Sequence, residues 1–342
     1  TMTKKVGMLL VNLGTPLTPS ARDVRRYLRS FLSDRRVVEI PRFLWWLILN
    51  CVILLVRPRK VARLYHEIWS MQGSPLRFNT LNLLEEVKKK AEKDNLCHTE
   101  TLVDALGVEF IFAAAMSYGE PGIERALTDF SVAKIDLLMV FPLFPQFSAT
   151  TQGPVFDQMA AFYQCQRRIP SVLFVNDFAD HPAFIGLLAD HIQAIRATLP
   201  PCDLLLFSFH GLPERYVQLG DPYLDRCHQT TQLLVDALGL ESHQWKLAFQ
   251  SRFGRTPWLK PYLSEMLVDL PQAGIQRIQV VCPGFSSDCL ETLEEINVQS
   301  RALFLSKGGV SFDYIPCLND AHSFADWLWM RTKKTAFTFL SE

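Results

Sequence analysis

Short apolar runs rich in Val, Ile, Leu and Phe recur along the chain, and longer stretches with apolar residues three and four apart separate them. Short runs of this kind are typical of buried β-strands, and the periodic stretches are typical of amphipathic helices. The eight predicted strands cover residues 6–13, 109–116, 135–141, 172–175, 204–209, 246–249, 278–282 and 312–315. Because strands that alternate with helices favour parallel sheets covered on both faces, the pattern predicts an α/β protein.

The ends of the predicted strands repeat between the two halves of the chain. In the same order, LLVNLGTP resembles LLFSFHGLP, AMSYGEP resembles FQSRFGRTP, and VFPLFPQFS resembles VVCPGFSSD. The repetition predicts two related α/β domains, each a four-stranded parallel sheet flanked by helices, whose strand ends face a shared cleft. We expect domains at 1–160 and 161–319, and a C-terminal helix or tail at 320–342 that packs back on them.

Charge and cysteine content narrow the class of protein. The 35 basic and 35 acidic residues among 342 cancel, so no global field attracts nucleic acid, which we exclude as a partner. The eight cysteines show no CxxC spacing and no zinc or iron–sulfur motif. They are typical of reduced thiols in a cytosolic protein.

The most apolar segment, residues 43–56, is too short for a membrane-spanning helix, which needs about 20 residues. Basic residues flank it: Arg42, Arg57, Arg59 and Lys60. Two interpretations stay open for this segment. It is either a core helix or an exposed apolar lip with a basic rim, which could rest on a bilayer or receive an apolar anionic ligand.

His210 ends the apolar run LLLFSFH, where open α/β sheets place their chemistry. Histidine accepts a proton near neutral pH or binds a divalent metal, so the position suggests a functional residue. A hydrogen-bonded structural histidine is the alternative.

Three carboxylates follow the seventh predicted strand, in CPGFSSDCLETLEEI. If a helix begins near Ser287, then Asp288, Glu291 and Glu295 lie on one of its faces. Asp288 with Glu291 also matches a capping box, which would make the pair structural. Together with His210, the three carboxylates could bind a divalent cation loosely and move protons.

Aromatic residues beside Gly and Pro in the strand-end loops predict a slot for a flat apolar ligand, although each of them could instead belong to the core. They are Tyr118, Phe144, Phe147 and Trp258. The glycines form neither GxGxxG nor a P-loop, which argues against a nucleotide site.

Three segments, LLLFSFHGLPERYVQLGDPY, FQSRFGRTPWLKPY and CPGFSSDCLETLEEI, resemble the signature segments of the ferrochelatase family, in its proteobacterial form. VNLGTP, FLSDRRVVEIP, GSPL and PQFSATTQG match the N-terminal half of that family. The resemblance implies a type II chelatase fold of two Rossmann-like domains and a lyase that inserts Fe(II) into protoporphyrin IX, the last step of haem synthesis. Porphyrin and ferrous iron are then the partners, and no resident cofactor is required.

The resemblance also assigns roles to residues. His210 and Glu291 fall on the paired active-site residues, as base or metal ligand, and Asp288 and Glu295 form an acidic path for iron or protons. For the porphyrin it implies walls at Leu13, Tyr118 and Trp258, with Ser74 near the ligand and Arg57 suited to a propionate. Residues 43–56 match the mobile lip of the family, and we expect a cytoplasmic protein with peripheral contact to the inner membrane surface.

The chain departs from the family pattern at two places. Cys289 stands where many relatives have histidine, so a thiol replaces an imidazole in the iron path. Ser117 stands where many have arginine, so one propionate contact is missing. Some relatives carry a cysteine-ligated iron–sulfur cluster near the C-terminus, but only Cys317 lies beyond Cys289, so we predict none.

Three other functions fit the same fold. A coproporphyrin ferrochelatase would call for more basic residues around the pocket. A non-catalytic tetrapyrrole carrier would need the aromatic slot without the carboxylates. Chelatases acting on sirohydrochlorin are shorter and do not share the GDPY and PWLKPY segments.

Overall fold

The computed structural model describes residues 4–97 and 108–341. The chain divides into two units. The first comprises Thr1–Leu143, Ala149–Asn176 and Asp320–Glu342, and the second Phe144–Ser148 and Asp177–Asn319.

The sheet of the first unit has four parallel strands in the order β2-β1-β3-β4. The strands are β1 (Lys4–Gly14), β2 (Val108–Tyr118), β3 (Leu137–Pro142) and β4 (Ser171–Phe174). Helices of this unit are Ala21–Leu32, Arg42–Ile48, Leu49–Ile53, Leu54–Ile68, Pro75–Cys97, Ile123–Ala133, Gln152–Gln164 and His322–Ser341. Buried apolar residues of β1 and β3, such as Leu9 and Val140, pack against Leu127 and Phe130 to form its core.

The sheet of the second unit repeats this order as β6-β5-β7-β8, again all parallel. Its strands are β5 (Leu204–His210), β6 (Trp245–Gln250), β7 (Arg277–Val281) and β8 (Ser311–Ile315). Helices of this unit are Pro182–Arg196, Glu214–Gln218, Tyr223–Leu238, Leu263–Gln272, Glu291–Ser300 and Arg301–Ser306. All eight predicted strands are therefore confirmed, as is the pair of four-stranded sheets.

The boundary between the units differs from the expected one at residue 160. The short strand β4 pairs with β3, from Leu137↔Ser171 to Val140↔Phe174, so the first unit continues to Asn176. A four-residue strand lacks sequence features that would show which sheet it joins. The C-terminal helix also belongs to the first unit, because Trp329 Nε1 and Lys333 Nζ each lie 2.8 Å from Asp94 Oδ2.

The apolar segment 43–56 is largely exposed. Trp45, Leu49 and Leu54 are buried against the first unit. Phe43 and Val56 are 77% and 72% exposed, and Leu44, Trp46, Val52 and Leu55 are exposed as well. The structure thus favours the exposed lip over the core helix. Among the described residues, no helix is both long enough and apolar enough to cross a membrane.

Gly14 ends β1 where the strand touches β2. It has a φ of +117°, and an added Cβ would lie 1.7 Å from the Tyr118 carbonyl oxygen, so only glycine fits there. We expect Gly14→Ala to lower the free energy of unfolding by about 3 kcal/mol, measured by urea denaturation.

Gly186 provides the control for this prediction. It lies in the helix Pro182–Arg196, and an added Cβ meets nothing within 4 Å. Gly186→Ala should therefore stabilise the protein by about 0.5–1 kcal/mol. Equal effects of the two substitutions would contradict the close approach at Gly14.

Candidate functional site

His210 is the last residue of β5, paired with Gln250 at the end of β6, and its side chain is half-buried. Its Nδ1 lies 2.7 Å from the carbonyl oxygen of Gly211. Because a carbonyl only accepts, Nδ1 must carry the proton of this hydrogen bond. In the neutral ring Nε2 therefore keeps its lone pair, which can accept a proton or bind a metal.

The loop after His210 packs beneath Trp258. An added Cβ on Gly211 would lie 2.9 Å from the Gln250 carbonyl oxygen and 3.1 Å from Cε3 of Trp258, so glycine allows this close packing. The rings of Trp258 and His210 lie 6.5 Å apart between centroids. Within the described part of the chain, the buried Nε1 of Trp258 has no acceptor. A buried donor without an acceptor beside the histidine suits a polar ligand atom.

Glu291 and Glu295 lie on the helix Glu291–Ser300, which is a π-helix. Wide helices of this kind are rare and occur frequently at functional sites. Gln250 Nε2 donates to the Glu291 carbonyl oxygen at 3.0 Å and to Glu295 Oε2 at 3.3 Å. The amide of Gln250 thus ties the helix to the end of β6.

Glu295 is held by neutral donors from the end of β6. The backbone N–H and the hydroxyl of Ser251 donate to its two carboxylate oxygens at 2.7 and 2.5 Å. Burial raises the pKa of Glu295, the Ser251 hydroxyl and His210 lower it, and the charge of Glu291 raises it again. The site therefore contains a carboxylate whose ionised form is partly disfavoured and which interacts with both His210 and Glu291.

A pH series tests the raised pKa of Glu295. Its ordinary pKa is 4.5, and the folded value is higher, so the wild type loses stability as the pH rises from 4.5 through the folded pKa. Glu295→Gln cannot ionise. Over this pH window we expect the free energy of unfolding of the variant to rise relative to that of the wild type, by about 1.4 kcal/mol for each unit of pKa shift.

Urea unfolding of the variant and of the wild type, side by side at each pH, measures this difference. A Glu295→Gln difference that is flat or falls with pH would contradict burial as the dominant influence.

Asp288 is buried, and neutral donors occupy its carboxylate. It is 5% exposed and accepts from the Tyr314 hydroxyl, from Thr292 Oγ1 at 2.8 Å and from Asn319 Nδ2 at 2.7 Å. The expected stripe of three acids on one helix face was wrong for Asp288, because the helix begins at Glu291 and not near Ser287. The capping box is also wrong, because the Asp288 N–H donates to Asn319 Oδ1 and not to Glu291, and the Asp288 carboxylate accepts from the Thr292 hydroxyl.

Cys289 contacts the catalytic candidate Glu291. Burial raises the pKa of the Cys289 thiol, and the charge of Glu291 and its hydrogen bond with the thiol raise it further. The thiol therefore stays protonated at neutral pH and donates to the Glu291 carboxylate. Among the described residues, no three His, Cys, Asp or Glu side chains are arranged to hold a metal ion.

Gln250 is a site residue that the sequence did not reveal. Besides its two donated hydrogen bonds, its Oε1 accepts from Ser208 Oγ at 2.7 Å and from Cys282 Sγ at 3.7 Å. The residue is 2% exposed, and its buried side-chain amide forms hydrogen bonds that connect β5, β6, the end of β7 and the π-helix. The only available signal was a polar residue at the end of an apolar strand, level with His210.

Of the aromatic residues predicted for the ligand slot, Phe144 and Phe147 belong to the second unit. Apart from Trp258, the residues that the family resemblance assigned to the porphyrin lie in the first unit. Tyr118 is 3% exposed and its hydroxyl donates to Asp34 Oδ2 at 2.7 Å; burial, followed by this hydrogen bond, raises its pKa. The buried hydroxyl of Ser74 lies 2.7 Å from that of Thr15. Leu13 and Arg57 are half-buried, and burial lowers the pKa of Arg57. The structure thus brings His210, Glu291, Glu295 and Trp258 together in the second unit. Leu13, Arg57, Ser74 and Tyr118 belong to the first unit.

Each unit contains a parallel sheet of the same strand order, and the second unit carries a histidine at the end of a central strand and carboxylates on a later helix. The structure of SirB from Bacillus subtilis with Fe3+ has a similar fold, with a TM-score of 0.53 and 13% identity, over 97% of this chain and 96% of that one. The sequence profile of the family described as Ferrochelatase matches residues 5–336. The chain belongs to the ferrochelatase family.

Curated relatives agree with this assignment. The ferrochelatase of Edwardsiella ictaluri is 47% identical over 319 residues, which cover 93% of this chain and 94% of that protein. The ferrochelatase of Alcanivorax borkumensis is 46% identical over 316 residues, which cover 92% and 89%. Ferrochelatases are lyases that insert iron into protoporphyrin for haem synthesis.

Proposed function

We propose that this protein inserts ferrous iron into protoporphyrin IX, with His210 as the proton acceptor and Glu291 as its partner. The observation that carries the assignment is the hydrogen bond from His210 Nδ1 to the Gly211 carbonyl, which leaves the Nε2 lone pair available. Metallation must remove two protons from pyrrole nitrogens and strip water from the cation. A neutral imidazole beside carboxylates suits the first task, since the carboxylates stabilise the imidazolium that forms.

The proton then has a short path away from the ring. Glu291 and Glu295 are four residues apart on the same helix, and Glu295 interacts with both Glu291 and His210. Because burial raises the pKa of Glu295, this carboxylate can take up a proton more readily than an exposed one. We assign Glu291 and Glu295 to the path for protons and arriving iron, and Asp288 to fixing the loop before the helix, because its oxygens are engaged.

Trp258 supplies a wall and a donor for the porphyrin. Its ring lies next to His210, and its buried indole N–H is unpaired among the described residues. In the first unit, Leu13 and Tyr118 remain our assignments for porphyrin walls, with Ser74 near the ligand. Arg57 is assigned to a propionate, because a guanidinium binds a carboxylate through paired hydrogen bonds.

The exposed apolar residues of segment 43–56 support a peripheral membrane contact. Phe43 and Val56 present apolar surface that water solvates poorly, and Arg57, Arg59 and Lys60 follow at once in the chain. A porphyrin is apolar and anionic, so a membrane is a suitable source for it. We place the protein in the cytoplasm with this contact to the inner membrane surface, and we propose that it needs no resident cofactor and carries no iron–sulfur cluster.

Initial rates with two porphyrins test the proposed function. Under anaerobic conditions with Fe(II), the protein should metallate protoporphyrin IX faster than coproporphyrin. A faster reaction with coproporphyrin would reassign the substrate. Tight binding of protoporphyrin without any metallation would overturn the enzymatic function and favour a tetrapyrrole carrier.

A further inference from the structure

Four arginines form one exposed row on the helix Ala21–Leu32. They are Arg22, Arg25, Arg26 and Arg29, spaced so that they share one face, and all four are exposed. The opposite face buries Val24, Tyr27 and Leu28. The four side chains, here called the arginine stripe, line a surface hollow of about 420 Å³.

Most of the stripe lacks a carboxylate partner. Arg26 Nη1 lies 3.7 Å from Asp23 Oδ1, and its side chain is still 68% exposed. Across residues 4–97 and 108–341, no ion pair involves Arg22, Arg25 or Arg29. Like charges three and four residues apart destabilise an isolated helix. A bound anion would remove this repulsion.

The stripe is physically joined to the exposed apolar segment. Trp45 Nε1 donates to the Leu32 carbonyl oxygen at 2.6 Å, and Arg42 Nη2 donates to the Ser33 carbonyl oxygen at 2.5 Å. These bonds connect the end of the stripe helix to the helix that carries Phe43 and Leu44. One unit therefore presents unpaired guanidinium groups and exposed apolar side chains on elements in direct contact.

We propose that the arginine stripe binds the phosphate headgroups of anionic phospholipids. The inference rests on the proposed membrane contact of segment 43–56 and gives that contact a lipid preference. Apolar side chains enter the boundary of the acyl chains, while arginines form paired hydrogen bonds with phosphate oxygens. Nucleic acid fits less well, because the chain is neutral overall and the stripe spans only about 10 Å of helix.

Vesicle binding tests the proposal with the full chain. The probes are vesicles of phosphatidylcholine alone, and of phosphatidylcholine and phosphatidylglycerol in equal parts. Replacing Arg22, Arg25 and Arg29 by glutamine should weaken binding to the anionic vesicles roughly 100-fold, at about fivefold per arginine. Binding to phosphatidylcholine should not change. High salt should weaken binding by the wild type more than binding by the variant.

The matched control replaces Arg125, Lys134 and Arg167, three exposed cations of the same unit, by glutamine. It has the same net charge as the stripe variant and should bind anionic vesicles nearly as the wild type does. Equal binding by the two triple variants would overturn the proposal. The proposal would also be overturned if the stripe variant lost affinity for inorganic tripolyphosphate but kept its affinity for the vesicles. That result would indicate that the stripe binds a soluble anion.

A second variant separates this inference from the membrane contact itself. Phe43→Ser with Val56→Ser removes exposed apolar surface and leaves every charge in place. If it abolishes binding to both kinds of vesicle while the stripe variant binds as the wild type does, the lip contact stands and the stripe proposal fails. If the wild type binds neither vesicle, both fail. Metallation assayed without vesicles should be unchanged in the stripe variant.

Discussion

His210→Ala is expected to lower the rate of iron insertion into protoporphyrin by about a thousandfold, because it removes the group that we propose as the acceptor of the pyrrole protons. The side chain is half-buried and its hydrogen bond is to the Gly211 carbonyl of its own loop, so the fold should survive. Anaerobic initial rates measure the loss. The thermal unfolding midpoint should shift by only a few degrees.

His228→Ala is the matched control for this substitution. His228 is an exposed histidine of the same unit, on the helix Tyr223–Leu238. The control should keep wild-type activity. A His210→Ala variant that is folded and fully active would show that the base lies elsewhere.

Glu291→Gln is expected to be nearly as damaging, with a loss of about a hundredfold to a thousandfold in turnover. The substitution keeps the shape of the side chain and removes the negative charge that we propose stabilises the imidazolium of His210. The Gln250 amide donates to the Glu291 main-chain carbonyl, so the π-helix should remain attached to β6. Turnover should fall more than the affinity for porphyrin, which a fluorescence titration measures.

Glu294→Gln separates the charge of Glu291 from a general effect on this helix. Glu294 is buried on the same π-helix, but its oxygens accept from Gln299 at 2.8 and 2.7 Å. Its replacement should affect stability and leave turnover within a few-fold of the wild type. If Glu294→Gln and Glu291→Gln reduced turnover equally, the charge of Glu291 would have no special role.

The strands could be read from the sequence because a parallel strand buried on both faces is a nearly continuous apolar run. β1 and β5 show this plainly, with Val6–Val11 and Leu204–Phe209 buried. The boundary between the two units after Asn176 could not be predicted from the sequence. It depends on which strand pairs with β4, and that partner is distant in the sequence. Repetition at the strand ends indicated the two sheets, but not where one unit ends.

A candidate site residue could be predicted where it ends an apolar strand, as His210 does. It was not predictable where partners come from distant segments. Asp288 matches a capping box locally, but Tyr314 and Asn319 hold it, 26 and 31 residues further on. The π-helix could not be predicted either, because the spacing of Glu291 and Glu295 also fits an ordinary helix. The role of Gln250 depends on contacts from three strands and a helix.

The most direct test of the central claim, that His210 and Glu291 carry the metal insertion, is proton release in a single turnover. The preformed complex with protoporphyrin is mixed anaerobically with Fe(II), and a pH indicator follows the protons. We expect release of two protons per porphyrin, together with haem formation, in the wild type, and a rate reduced at least a hundredfold in His210→Ala and in Glu291→Gln. Release at the wild-type rate by both variants would contradict this claim.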